Sequence, residues 1–166
     1  MTVGALVECG FTGSVFSSPE ILQRVIEMIQ LSKATFPSAN PSGIINCGSD
    51  PSPVKGILVD IKIPPEVMVG DIVALTSQAC SAVNGTGPIA GTKATFTQPV
   101  KQSTKKLQFN VEPYETLIKP ILGHAQGNGS LLVSYVVTRD NSVIGTSPLS
   151  FVIVGLMLPD GESCQE

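Results

Sequence analysis

A chain of 166 residues with 42% hydrophobic residues, only 14% charged residues and a formal net charge of −3 is long enough for one domain with a substantial core. That balance excludes intrinsic disorder, which needs low hydrophobicity and high net charge, and argues against a nucleic-acid binder held by bulk positive charge. Sixteen Gly and thirteen Pro favour strands and turns over helices.

The N-terminus, Met1 to Gly10, has no basic segment, and its apolar run is broken by Glu8, so it does not read as a secretory signal peptide. Nowhere does the chain approach the ~18 consecutive apolar residues of a membrane helix. The longest candidate, Leu149 to Leu158, contains Ser150 and Gly155. A protein made in the cytosol, with no membrane partner, is expected. Cys9, Cys47, Cys80 and Cys164 lie far apart with no Cys-x-x-Cys pair. Free, mostly buried thiols are the reading a reducing cytosol favours, with a Cys9–Cys47 bridge as the alternative.

Ser18-Pro19-Glu20 carries the signals of a helix start: an N-cap hydroxyl, a proline at the first helical position and an acid at the positive end of the dipole. Ile21, Leu22, Val25, Ile26 and Ile29 follow at helical spacing, which predicts an amphipathic helix from Pro19 to about Lys33, stopped by Pro37. Four prolines between Pro37 and Pro53 then mark a linker or an ordered wandering loop.

Beyond Lys55 the hydrophobic period changes from 3.6 to 2. Ile57, Val59, Ile61 and Ile63 alternate with Leu58, Asp60 and Lys62 until Pro64-Pro65 ends the strand. Further strands are expected from Ile72 towards Cys80, around Thr92 to Thr97, and over Leu107 to Val111. A short helical turn follows at Glu112-Pro113-Tyr114-Glu115. Two last strands, Leu131 to Thr138 and Ser142 to Val154, flank a tight Arg139-Asp140-Asn141 turn, where Asp and Asn suit the positive φ of a hairpin. Six or seven short strands without long intervening helices predict a mainly β protein, an antiparallel sandwich of about seven strands behind an N-terminal region with one amphipathic helix.

The order of Val69-Gly70-Asp71-Ile72-Val73-Ala74-Leu75, then Leu107-Gln108-Phe109-Asn110-Val111-Glu112-Pro113 with its helical turn, then Leu132 to Thr138 and Ser147 to Val154, resembles the immunoglobulin-like domains of bacteria and bacteriophages, of the invasin and intimin kind. The resemblance covers about residues 54–156. Many such domains carry a Trp after the second strand; this chain has none, and Ser77 stands near that place. The resemblance implies display and adhesion rather than catalysis. The expected organisation is a helical and loop attachment region over residues 1–53, an Ig-like sandwich over 54–156, and a C-terminal tail over 157–166.

Signals for chemistry are weak. His124 is the only histidine, it sits in a Gly-rich loop, and no Gly-x-Ser-x-Gly elbow accompanies it. The cysteines and acids lack metal-ligand spacing. Gly85 to Lys93 departs from the phosphate-binding loop, because its lysine follows a threonine and a strand rather than a helix comes next. No catalytic residue, metal or cofactor is therefore expected.

The expected role is a non-enzymatic structural protein of a tailed-bacteriophage virion, a head-decoration or tail-associated component made in the host cytoplasm. Its partners would be other virion subunits, a major capsid or tail protein, in a symmetric oligomeric assembly. The apolar stripe of Ile21, Leu22, Val25, Ile26 and Ile29 is expected to pack against the chain's own sandwich, which requires no partner; as the alternative it docks on neighbouring subunits, which makes these the candidate attachment residues. Lys101, Lys105 and Lys106, near Lys93 in a stretch free of acids, are candidates for contact with an acidic partner. The alternative function is a bacterial surface adhesion or carbohydrate- or receptor-binding module, which is poorly served by a chain with two tyrosines and no tryptophan.

Overall fold

A computed structural model describes residues 28–165. Among the described residues there are eight strands: β1 (Ile44–Ile45), β2 (Ile57–Lys62), β3 (Ile72–Cys80), β4 (Ala94–Pro99), β5 (Lys106–Val111), β6 (Asn128–Arg139), β7 (Ser142–Thr146) and β8 (Ser150–Gly155). The described residues also form one short helix, α1 (Tyr114–Leu117), and 3-10 turns at Pro53–Lys55, Lys119–Gly123 and Ala125–Gly127. The molecule is mainly β, as the period-2 alternation predicts.

The larger sheet runs β1-β8-β6-β3-β4, with β7 also paired to β6; β2 and β5 form a two-stranded sheet. All pairings are antiparallel except β1 with β8, which is parallel. Alternation sends one face of each strand inward. From the large sheet come Val73, Leu75, Leu131, Val133, Tyr135 and Val137, and from the small one Ile57, Val59, Ile61, Leu107, Phe109 and Val111, all buried in one core. Each such side chain contributes about 1.5–3 kcal/mol of hydrophobic stabilisation. Leu117, Ile118 and Ile121, from α1 and the turn after it, join the same core.

Two elements and the cysteine pairing differ from expectation. The helix expected over Pro19–Lys33 lies outside the described residues as far as residue 27, and from Met28 to Lys33 the chain is not helical. The Ile29 N–H donates to the Ile144 carbonyl of β7 at 2.8 Å, and Thr35 exchanges both backbone hydrogen bonds with Asp60 of β2. Segment 29–35 thus crosses from the edge of one sheet to the edge of the other, burying Leu31 and Ala34. Pairing with two sheet edges outweighs local helical periodicity here.

The strand expected over Ser142–Val154 is two strands, because Pro148 has no N–H to give the ladder. Both halves pair with the same side of β6. At the break Ser147 substitutes for a regular residue: its N–H donates to the Tyr135 carbonyl, and its Oγ accepts the Tyr135 N–H, each at 2.8 Å. The next turn follows expectation, with Asp140 and Asn141 both at positive φ, 48° and 64°.

The Pro37–Pro53 segment is an ordered loop, carrying β1 and held by Asn40 and Asn46, whose side-chain oxygens accept neighbouring backbone N–H groups. It also overturns the expectation for the cysteines. Cys47, just past β1, is disulfide-bonded to Cys164 across 117 residues, whereas Cys80 is a free, buried thiol. Spacing along the chain could not bring Cys47 and Cys164 together; the parallel pairing of β1 with β8, whose Val154 is in register with Ile45 and ten residues before Cys164, does so.

Candidate functional site

The outer face of the large sheet is the candidate site, and its composition follows from strand register. Residues alternating with the core positions of β3 are Ile72, Ala74, Thr76 and Gln78. Opposite them on β6 stand Thr138, Val136, Ser134 and Leu132, and on β4 Pro99, Thr97 and Thr95. β7 adds Val143 and Thr146, and β8 adds Phe151 opposite Leu132. None of these is charged. The face is a grid of hydroxyls and small or medium apolar groups, with Thr76 and Thr95 Oγ1 atoms 3.4 Å apart across the strands.

Large apolar groups are exposed around its lower part: Phe151 is 47% exposed, and Leu149, in the break between β7 and β8, is 63% exposed. Beside them is a depression of about 230 Å³ lined by Thr76, Gln78, Leu132, Ser134 and Leu149, with Lys93 at its rim. The row beyond, Cys80 and Ser130, is covered by the loop after β3, where Ser130 Oγ accepts the Gly85 N–H at 3.0 Å and donates to the Ala82 carbonyl.

That loop is well tied down. Gln78 Nε2 donates to Thr92 Oγ1 at 2.7 Å and to the Ile89 carbonyl at 2.8 Å, and the Ser81 N–H donates to the Gly87 carbonyl. The Gly-rich run that invites comparison with a phosphate loop is therefore a hydrogen-bonded lid on the end of the sheet, not a flexible connection.

Charge is placed on the opposite sheet and at the ends. On the outer face of the small sheet, Asp60 accepts from Lys106 Nζ and Gln108 Nε2, both at 2.8 Å, and Lys62 lies directly across from Lys106. At one end of the large sheet Asp71, only 3% exposed, takes a two-pronged contact from Arg139, Nε to Oδ1 at 2.9 Å and Nη2 to Oδ2 at 2.8 Å, while the Met68 N–H donates to Oδ2. The Arg139 hydrogen bonds hold the Asp71 carboxyl below its ordinary value, against the opposing effect of burial, with help from Met68. Arg139 also donates to the Glu66 carbonyl, clamping the turn before β3 onto β6.

The sequence candidates are dispersed over this frame. Ile21, Leu22, Val25 and Ile26 lie outside the described residues; Ile29 is half-buried and packs against the core. Lys101 and Lys105 are exposed at one end of β4, together with Lys106, which is paired with Asp60. Lys93 is at the other end, separated by a six-residue strand of roughly 20 Å, so the four lysines do not form one patch. His124 is exposed. Among the described residues no three His, Cys, Asp or Glu side chains are grouped to hold a metal ion.

The charge-free face escaped the sequence reading, although its signal was present: within β3, β4 and β6 every residue between the core positions is apolar or carries only a hydroxyl or amide. Comparisons with protein-family models, with curated proteins and with solved structures each find no match.

Proposed function

We propose that this protein is a non-enzymatic structural component of a tailed-bacteriophage virion, attached to a head or tail and displaying an immunoglobulin-like sandwich. The observation that carries the reading is the uncharged outer face of the large sheet. A solvated sheet face normally carries charged residues that keep it apart from other proteins. This one presents hydroxyls and apolar groups that form contacts without the cost of desolvating charge. The resemblance over residues 54–156 points the same way, since in such domains the sandwich serves as a rigid display unit. The test is co-sedimentation of the purified full chain with tailed-phage capsids or tails. Binding abolished by Thr76→Lys, in the middle of the face, supports the reading; no binding to either particle counts against it.

The Cys47–Cys164 bridge favours a second reading, a bacterial surface adhesion or receptor-binding module, because structural disulfides persist in oxidising surroundings. Saturable binding to a glycan array or to intact bacterial cells by the monomer, unaffected by Thr76→Lys, would select it.

A further inference from the structure

We propose that the occupant of the charge-free face is a second copy of this chain, the two large sheets packing face to face about a two-fold axis. The proposal rests on the reading of this face as the protein's contact surface and names its partner.

Three observations carry it. The first is charge. The chain is net negative, and Asp60, Asp71, Glu112 and Glu115 all lie off this face, which Lys93 borders at the depression, so two copies meet here without bringing their acidic groups together.

The second is area. The face is at most four strands wide, β4, β3, β6 and then β7 or β8, about 19 Å at a spacing of ~4.8 Å, and seven residues of β3 span about 23 Å. The face therefore offers roughly 440 Å² per copy, or about 900 Å² in all, the size of a weak, reversible contact rather than of a permanent dimer.

The third is shape. A two-fold contact must be self-complementary, each projection of one copy meeting a hollow of the other. Phe151, 47% exposed, projects from this face, and the depression lined by Thr76, Gln78, Leu132 and Leu149, with Lys93 at its rim, lies beside it. Sheets packed this way sit about 10 Å apart, which allows such side chains to interdigitate.

Sedimentation velocity of the full chain, from about 1 to about 200 μM, tests the proposal. A monomer–dimer equilibrium in that range is expected. Thr76→Lys places two like charges in the closed interface and is expected to raise the dimer dissociation constant by about a hundredfold or more. Lys62→Glu, on the small sheet, is expected to leave it unchanged. Circular dichroism and thermal melting establish that both variants fold, and Ser134→Lys serves as a second interface variant if Thr76→Lys melts early. A chain that stays monomeric throughout, or a dimer indifferent to both interface lysines, overturns the proposal. A monomer that still co-sediments with particles in a Thr76-dependent way overturns only self-association and leaves the contact-surface reading standing.

Discussion

Tyr135 Oη donates a 2.7 Å hydrogen bond to the carbonyl of Ser32, joining the middle of the longest strand to a segment 103 residues earlier. The ring is 1% exposed and sits in the core, yet its hydroxyl reaches the strip of chain that closes one side of the sandwich. Together with the Ser150 Oγ bond to the Ala34 carbonyl, it fixes segment 29–35 against the large sheet, while the Thr35–Asp60 backbone pair ties it to the small one. Tyr135→Phe removes the bond while keeping the ring, and is expected to cost about 0.5–1.5 kcal/mol. Hydrogen exchange of the Ile29 amide, which donates to Ile144, is expected to accelerate more than that of the β3 amides. Equal acceleration everywhere would show that the segment is not separately anchored by this bond.

The same burial has an optical consequence. Tyr114 and Tyr135 are the only tyrosines, and burial pushes both phenols above their ordinary value; at Tyr114 the Lys119 charge partly opposes this. The native protein is therefore expected to show little phenolate absorbance at about pH 10, where unfolded tyrosines are half ionised. Because the folded phenols hold their protons longer, stability is full below pH ~10 and falls as pH rises through the native values. A native titration midpoint at or below that of the urea-unfolded chain contradicts the burial.

Asp71 sets the acid limb. Its native carboxyl is held down chiefly by Arg139, so the folded state binds fewer protons than the unfolded chain. Its contribution is complete above pH ~4, where the unfolded carboxyl has ionised, and is lost as pH falls through the native value. Denaturation midpoints measured from neutral to strongly acid pH are expected to fall less steeply in Asp71→Asn. At neutral pH Arg139→Leu is expected to be the more damaging single change, since it leaves a buried carboxylate without its partner. Identical acid profiles for the wild type and Asp71→Asn would refute this assignment.

Breaking the Cys47–Cys164 bridge, by Cys47→Ser or by reduction, is expected to lower stability by about 2–4 kcal/mol, since a crosslink over 117 residues removes much freedom from the unfolded chain. Urea denaturation with and without reductant measures it. Peptide mapping of the unreduced protein is expected to find Cys47 joined to Cys164, and alkylation of Cys80 only after unfolding, because that thiol is buried.

Two serines on inward-facing backbone make a paired test. Ser77 Oγ is buried with no hydrogen-bond partner among the described residues, so Ser77→Ala is expected to be neutral or to stabilise by up to about 1 kcal/mol. Ser147 Oγ instead satisfies the Tyr135 N–H at the Pro148 break, and Ser147→Ala is expected to cost about 1–3 kcal/mol. Thermal melts of the two variants should move in different directions; a loss for Ser77→Ala as large as that for Ser147→Ala would show that Ser77 has a partner after all.

The sequence by itself determined the mainly β architecture, most strand positions and the Asp140-Asn141 turn. Ile57-Val59-Ile61 and Leu107-Phe109-Val111 each carry their own inside-outside code, and a period of two is a local property of the chain. Pro148, by contrast, was legible as a residue but not as a break, because its effect depends on the ladder to which it fails to donate. Only the tertiary structure decided that segment 29–35 crosses from one sheet edge to the other rather than continuing a helix, that Cys47 meets Cys164, and that the intervening positions of β3, β4 and β6 share one uncharged face. Each of these depends on which strands become neighbours. Neighbourhood is fixed by burial of the whole core, and no window along the chain contains that information.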